Sequence, residues 1–137
     1  MKWVTRQNIG VDRMACCWLI KNYIDETPEF IFLPEGGLLP EDGEPFDLPG
    51  VRLSHRDGHA SFRTILKEYD IHDPLLERIA QIVDEADTVQ EVFLEPVAQG
   101  LDFICRGVRL ISKGDEEALE RGFMIFTAIY EQLKASQ

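Results

Sequence analysis

Apolar positions along this chain follow two rhythms. Toward the N-terminus they come in short dense runs, and from Ser61 onward they recur at intervals of three and four. Trp3, Val4 and Thr5 predict a brief first strand over Lys2 to Thr5, closed by a turn at Asn8-Ile9-Gly10. Asp12 is placed to cap a helix whose first residues are Arg13 and Met14. Met14 to Ile20 is apolar nearly all the way round, which predicts deep burial of that helix. Glu29 to Leu33 is the strongest strand signal, and Pro34 with Gly36-Gly37 ends it. Residues 34–50 hold four prolines and four glycines, so they predict an irregular loop or lid, with Phe46-Asp47-Leu48-Pro49-Gly50 as its apolar anchor and turn. Val51 to Ser54 reads as a further short strand.

The helical rhythm begins where Ser61 is placed to cap a helix carrying Phe62, Ile65, Leu66 and Tyr69. Asp73-Pro74 combines a cap with proline at the first helical position, ahead of Leu76, Ile79, Ile82 and Val83. Pro96 opens a helix with an apolar seam of Val97, Leu101, Ile104, Val108 and Ile111. After Lys113-Gly114 a last helix, capped near Asp115, repeats the rhythm with Leu119, Phe123, Phe126, Tyr130 and Leu133. Matching seams and a short connection predict that these two pack as an antiparallel pair. No repeat or linker divides the chain, so residues 1–137 are expected to form one α+β domain with a few short strands and about five helices.

Composition narrows the functions. With 14 basic against 25 acidic side chains the formal charge is −11, a poor basis for gripping nucleic acid unaided. No segment approaches the roughly 20 apolar residues of a membrane helix. Three cysteines, Cys16, Cys17 and Cys105, two of them adjacent, argue against a disulfide framework. The thiols read as buried and structural, and the chain as a cytoplasmic protein without a secretion signal. Arginines gather at Arg52, Arg56 and Arg63 and again at Arg106 and Arg109, beside Lys113. Such groups hold small anions or, as read for the second set, merely balance nearby acids.

Candidate chemistry centres on Leu53-Ser54-His55-Arg56-Asp57-Gly58-His59. An extended backbone would send His55, Asp57 and His59 to one side, and imidazole and carboxylate are ligand types for divalent metals and carriers of protons. The plainer alternative is a polar loop with solvated histidines, since no established metal-ligand spacing is matched. Asp84 and Asp87 share a face near a helix C-terminus, where the macrodipole disfavours acids and a local partner is therefore expected. Asp12-Arg13 is the third piece: either an ordinary cap with a surface arginine, or an arginine reaching an anion or an acid in the cleft.

Several stretches carry a family resemblance. Asp12-Arg13-Met14-Ala15-Cys16-Cys17-Trp18-Leu19-Ile20 resembles the Asp-Arg-x-Ala-Cys-x-Trp-Leu-Ile signature of the ChrB-type chromate-resistance domain. Phe46-Asp47-Leu48-Pro49-Gly50, Leu53-Ser54-His55, Ser61-Phe62, Asp73-Pro74-Leu75 and Ala86-Asp87-Thr88 are similar to further parts of it, in order, from about Lys2 to Leu133. Many members have Cys-Thr-Phe-Glu and Ile-Val-His where this chain has Ala60-Ser61-Phe62-Arg63 and Ile82-Val83-Asp84. The resemblance thus implies the loss of a thiolate, a carboxylate and an imidazole, with His59 or Asp84 available as replacement ligands. The domain commonly ends a longer protein linked to chromate-responsive regulation, and here it is read as standing alone.

The expectation is a stress-response domain that binds a divalent metal ion or small oxyanion. His55, Asp57, His59, Asp84 and Asp87 are its metal-ligand candidates, Asp12, Arg13 and Arg56 its anion-side residues, and His55 its first choice as proton carrier. Two rivals are a metal-dependent hydrolase or lyase for a small anionic substrate, with 34–50 as lid, and an interaction module using the acidic surface. Expected partners are a small anion or metal ion and a second copy of the chain, not nucleic acid alone or a membrane.

Overall fold

The computed structural model describes residues 1–137. Trp3 and Val4 are buried in β1 (Lys2–Arg6), the middle strand of a three-stranded sheet. The chain then turns into α1 (Val11–Tyr23) and returns as β2 (Glu29–Leu33), parallel to β1 with Lys2 opposite Glu29 and Arg6 opposite Leu33. A short β3 (Glu44–Pro45) lies parallel on the other edge, giving the order β2-β1-β3. β3 falls inside the stretch expected to be irregular. The strand expected at Val51 to Ser54 reduces to a single bridge between Phe46 and Leu53. The proline and glycine content limits pairing at this edge to two residues, consistent with proline's place on edge strands.

Four helices complete the domain: α2 (Ser61–Glu68), α3 (Pro74–Asp87), α4 (Val97–Ile111) and α5 (Asp115–Ala135). The α+β architecture with five helices matches expectation. None of them is long and apolar enough to cross a membrane. α1 is the hub. Met14 to Ile20 are all buried, and α1 packs against α2, α3, α4 and α5 as an all-round apolar helix must. Trp18 stacks near Phe126 and Tyr130 of α5 while its indole N–H donates to Thr127 Oγ1 at 3.0 Å. Asp73 caps α3 as predicted, accepting from Leu75 N at 2.8 Å, with Pro74 following.

Three local expectations change. Gly10, not Asp12, is the N-cap of α1, and Asp12 sits inside its first turn. Ser61 does not cap α2 but is its first residue. The capping oxygens come from Asp12, which accepts from Ser61 N at 2.9 Å and Phe62 N at 3.1 Å. One helix therefore caps another, meeting orphan N–H groups that α2's own residues leave open. Finally, α4 and α5 pack together across Ser112–Gly114, yet α4 buries Ala98, Leu101 and Cys105 instead of the whole expected seam. Val97, Ile104 and Ile111 face outward, because α4 also leans on α3 and is rotated toward both neighbours.

Candidate functional site

The 55–59 segment is not extended. Asp57 and Gly58 both adopt positive φ, 54° and 78°, and Arg56 and His59 exchange backbone hydrogen bonds of 3.1 and 2.9 Å across them. This is a two-residue hairpin turn for which Asp-Gly is a strong sequence signal, and glycine takes the second left-handed position without a Cβ penalty. His55, Asp57 and His59 therefore do not share a face. Asp57 occupies the exposed tip. Arg56 turns away to Glu68 at 2.8 Å and to the Arg52 carbonyl, outside the cleft that His55 enters.

His59 points to α3. Its Nδ1 is 2.7 Å from Asp84 Oδ2, and Asp84 also accepts from Arg63 Nε and Ala60 N, both at 2.8 Å. Asp84 is almost fully buried and ties the start of α2 to α3. Arg63 and Asp84, two of the positions at which the resemblance implied other side chains, thus bond to each other, and they lie apart from the His55 cleft.

His55 turns the other way, toward the first turn of α1. Thr64 Oγ1 donates to the Ser54 carbonyl at 2.7 Å, fixing the backbone just before it. Three carboxylates surround His55 Nε2: Asp12 Oδ2 at 3.1 Å, Asp87 Oδ2 at 3.2 Å and Asp47 Oδ1 at 3.4 Å. They come from α1, the end of α3 and the turn after β3, so the cluster exists only in the folded chain. Ser61 Oγ donates to Asp47 Oδ1 at 2.6 Å, while Arg13 donates from its terminal nitrogen to the Asp47 carbonyl at 3.0 Å. Arg13 Nε lies 3.0 Å from Asp47 Oδ2 as an ion pair. Asp47 is the member that the spacing arguments passed over. Its signal was present in the Phe-Asp-Leu-Pro-Gly turn, where its positive φ of 50° suits an aspartate.

Crowding governs the electrostatics. Hydrogen bonding to Asp12, with the charges of Asp12, Asp47 and Asp87, raises the His55 pKa to about 9. Burial first, then the charge of Asp47, pushes Asp12 up to about 6 and raises Asp87 as well. Burial holds the adjacent Cys16 and Cys17 thiols protonated, well above the ordinary range, and Cys16 Sγ donates to Asp12 Oδ1 at 3.5 Å. Near pH 7 the cluster holds three acids against one imidazolium and one guanidinium.

These groups line one wall of a cleft of about 550 Å³. α4 also lines it, contributing Asp102, Arg106 and Arg109. Arg106 pairs with Asp102 at 2.9 Å and Arg109 donates to the Asn8 carbonyl at 3.3 Å. The second arginine group, read from sequence as charge balance, therefore borders the same space. Asp12, His55 and Asp87 each offer a ligand atom, all within 4.8 Å of one another. Chemically the arrangement could take a hard or borderline cation on one side and an anion across from it.

A family model described as ChrB, C-terminal domain, matches residues 3–133. Over 132 residues the chain is 30% identical to Protein ChrB from Cupriavidus metallidurans, an alignment covering 94% of this chain and 40% of that protein. The chain thus spans well under half the length of this curated relative. No solved structure matches.

Proposed function

This chain belongs to the ChrB C-terminal domain family, and from that premise we propose that it binds a divalent metal ion through Asp12, His55 and Asp87. The carrying observation is the surplus of acceptors: three carboxylate oxygens lie within 3.4 Å of a single imidazole nitrogen. A proton on Nε2 offsets one negative charge, whereas a dication placed among the same atoms would offset two, against the burial and then the mutual repulsion that raise Asp12 and Asp87. One nitrogen with two or three oxygens suits manganese, iron or zinc better than a thiolate-seeking metal. Asp12 is the rigid ligand, because its carboxylate is already anchored by the backbone of α2.

A small anion is the natural companion. Arg13 beside the cluster and Arg106 and Arg109 across the cleft would neutralise one that approached the metal's open coordination positions. In this reading the domain serves a metal or oxyanion stress response, and a link to chromate comes from kinship alone. The metal-dependent hydrolase or lyase reading uses the same residues and gains support from the size of the cleft. Turnover of a small anionic compound is what would distinguish it.

The test is elemental analysis and calorimetric titration of the purified chain with manganese, iron(II) and zinc, beside His55→Ala. One ion per chain is expected, with affinity at least about a hundredfold lower in the variant. No stoichiometric ion in the wild-type chain under any of the three would overturn the proposal.

A further inference from the structure

α4 presents three faces, and only two of them are used. Ala98, Leu101 and Cys105 enter the core, and Asp102, Arg106 and Arg109 border the cleft. The remaining face carries Phe103 at 79% exposure, Leu110 at 81%, Ile111 at 70% and Ile104 at 55%, with Val97 at the near end. At roughly 200 Å² for a large apolar residue in the open, these five side chains expose on the order of 650 Å². That exceeds the usual largest apolar patch of a monomer and approaches the ~800 Å² per partner of a standard protein interface.

Its relief is specific. Gly100 and Gly107 run along the middle of the stripe, and a Cβ built on either meets nothing within 4 Å. Glycine weakens a helix, and neither position here requires a positive φ or a close approach within the chain. What the two glycines do is leave a groove between two ridges, Phe103 with Leu110 on one side and Val97, Ile104 and Ile111 on the other. Ridge and groove share one seven-residue repeat on one helix, so a two-fold rotation that runs two copies antiparallel sets groove over groove and allows close approach of the helices there. The stripe is also uncharged on a chain of net charge −11, and its charged border mixes signs, with Asp102 next to Arg106 and Arg109. Two copies could meet there without juxtaposing their acidic surfaces.

We propose that the chain forms a homodimer in which the α4 faces of two copies pack antiparallel about a two-fold axis near Ile104, glycine groove facing glycine groove, with the Phe103–Leu110 side chains of the two copies interleaving along the helix direction. The partner copy then lies close to the cleft, because α4 both carries the interface and lines that cleft.

Sedimentation analysis of the chain at concentrations on the order of 100 μM is expected to give the dimer mass. Phe103→Glu with Leu110→Glu should give a monomer with an unchanged circular dichroism spectrum. Gly100→Ala with Gly107→Ala supplies an independent reading, since it fills the groove without disturbing internal packing. The variant's thermal stability should hold or rise at dilutions where the chain is monomeric, while its dimer dissociation constant rises at least about tenfold. Ile104→Cys provides the only exposed thiol, the native three being buried, and should oxidise to a covalent dimer. A monomeric wild-type chain, or a dimer whose constant the glycine substitutions leave unchanged, would overturn the proposal. Cation binding by a monomer would leave the metal reading standing while ending this one.

Discussion

Asp84 and Asp87 lie one turn apart on α3, and each meets a histidine from the same hairpin. Around Asp84 the donors are sufficient: a backbone N–H, a guanidinium and an imidazole supply three close contacts to one buried carboxylate. Around His55 the supply is shorter: Asp12 and Asp47 have donors of their own, but Asp87 has only the one imidazole that all three carboxylates share. The same residue types thus make a closed clamp at one end of the hairpin and an open acceptor site at the other. What separates structure from candidate chemistry here is the count of donors against acceptors, more than the residue types or their burial.

The largest expected effect tests the clamp. Asp84→Ala leaves the buried Ala60 N–H without its acceptor and takes from Arg63 its closest one, leaving only the longer contacts to Glu77 and Gln81, which should cost about 2 to 4 kcal/mol of folding stability. In a domain this size that lowers the melting temperature by on the order of 10 °C or more. Cation affinity at the His55 cluster should change little when measured well below the new transition. If calorimetry instead showed metal affinity collapsing with Asp84 while stability held, the two clusters would have to exchange roles.

Asp87→Asn probes the open site, and the signs reverse. The carboxylate is held above its ordinary range by burial and by Asp47, so neutralising it relieves repulsion. Stability should stay within about 1 kcal/mol of wild type or rise, while divalent-ion affinity falls by about ten- to a hundredfold. Thermal melts and titration on one preparation check both halves. Destabilisation with unaltered metal affinity would make Asp87 another structural acid.

How far this contrast could be read in advance follows from what each residue depends on. The helices were legible because Asp73-Pro74 and the three-four spacing act within a few residues of themselves. α4 was only half legible. Its spacing places several apolar positions along the helix, but which of them enter the core depends on how α3 and α5 press on it, and Ile104 and Ile111 ended outside. His55, Asp12, Arg13 and Asp87 were named from residue type and now lie around one cleft. Asp57 and His59 were grouped with them on the premise of an extended backbone, although Asp57-Gly58 carried the opposing turn signal in plain view. The Phe-Asp-Leu-Pro-Gly pattern signals the turn at Asp47, but its place in the cluster depends on contacts with Ser61 and Arg13 from two separate helices, which lie beyond any local pattern.

The smallest expected effect is a pH dependence that should belong to the open site. His55 is held near 9 in the folded chain against an ordinary 6.5, so between those values the native state binds more protons than the unfolded one. Its contribution to stability is therefore complete below about pH 6.5 and is lost as pH rises through about 9. Asp12, raised to about 6 from 3.8, acts in the same direction over a lower window: its ionisation between those values costs the folded state. The charges of Asp47 and Asp87 face the same imidazole and act in the same sense as Asp12, raising it, while Arg13 pairs with Asp47. Because the His55 side chain is 49% exposed, water screens much of this, and the melting temperature should fall by only a few degrees between about pH 6 and pH 9. His55→Gln should flatten the upper part of that fall. A bound dication would replace the proton on Nε2, so saturating manganese should also remove the upper part of the fall, with about one proton released per ion below pH 9. A wild-type profile that runs level from pH 6 to 9 would mean that the three acids do not hold a proton on His55, and the electrostatic contrast between the two clusters would go with it.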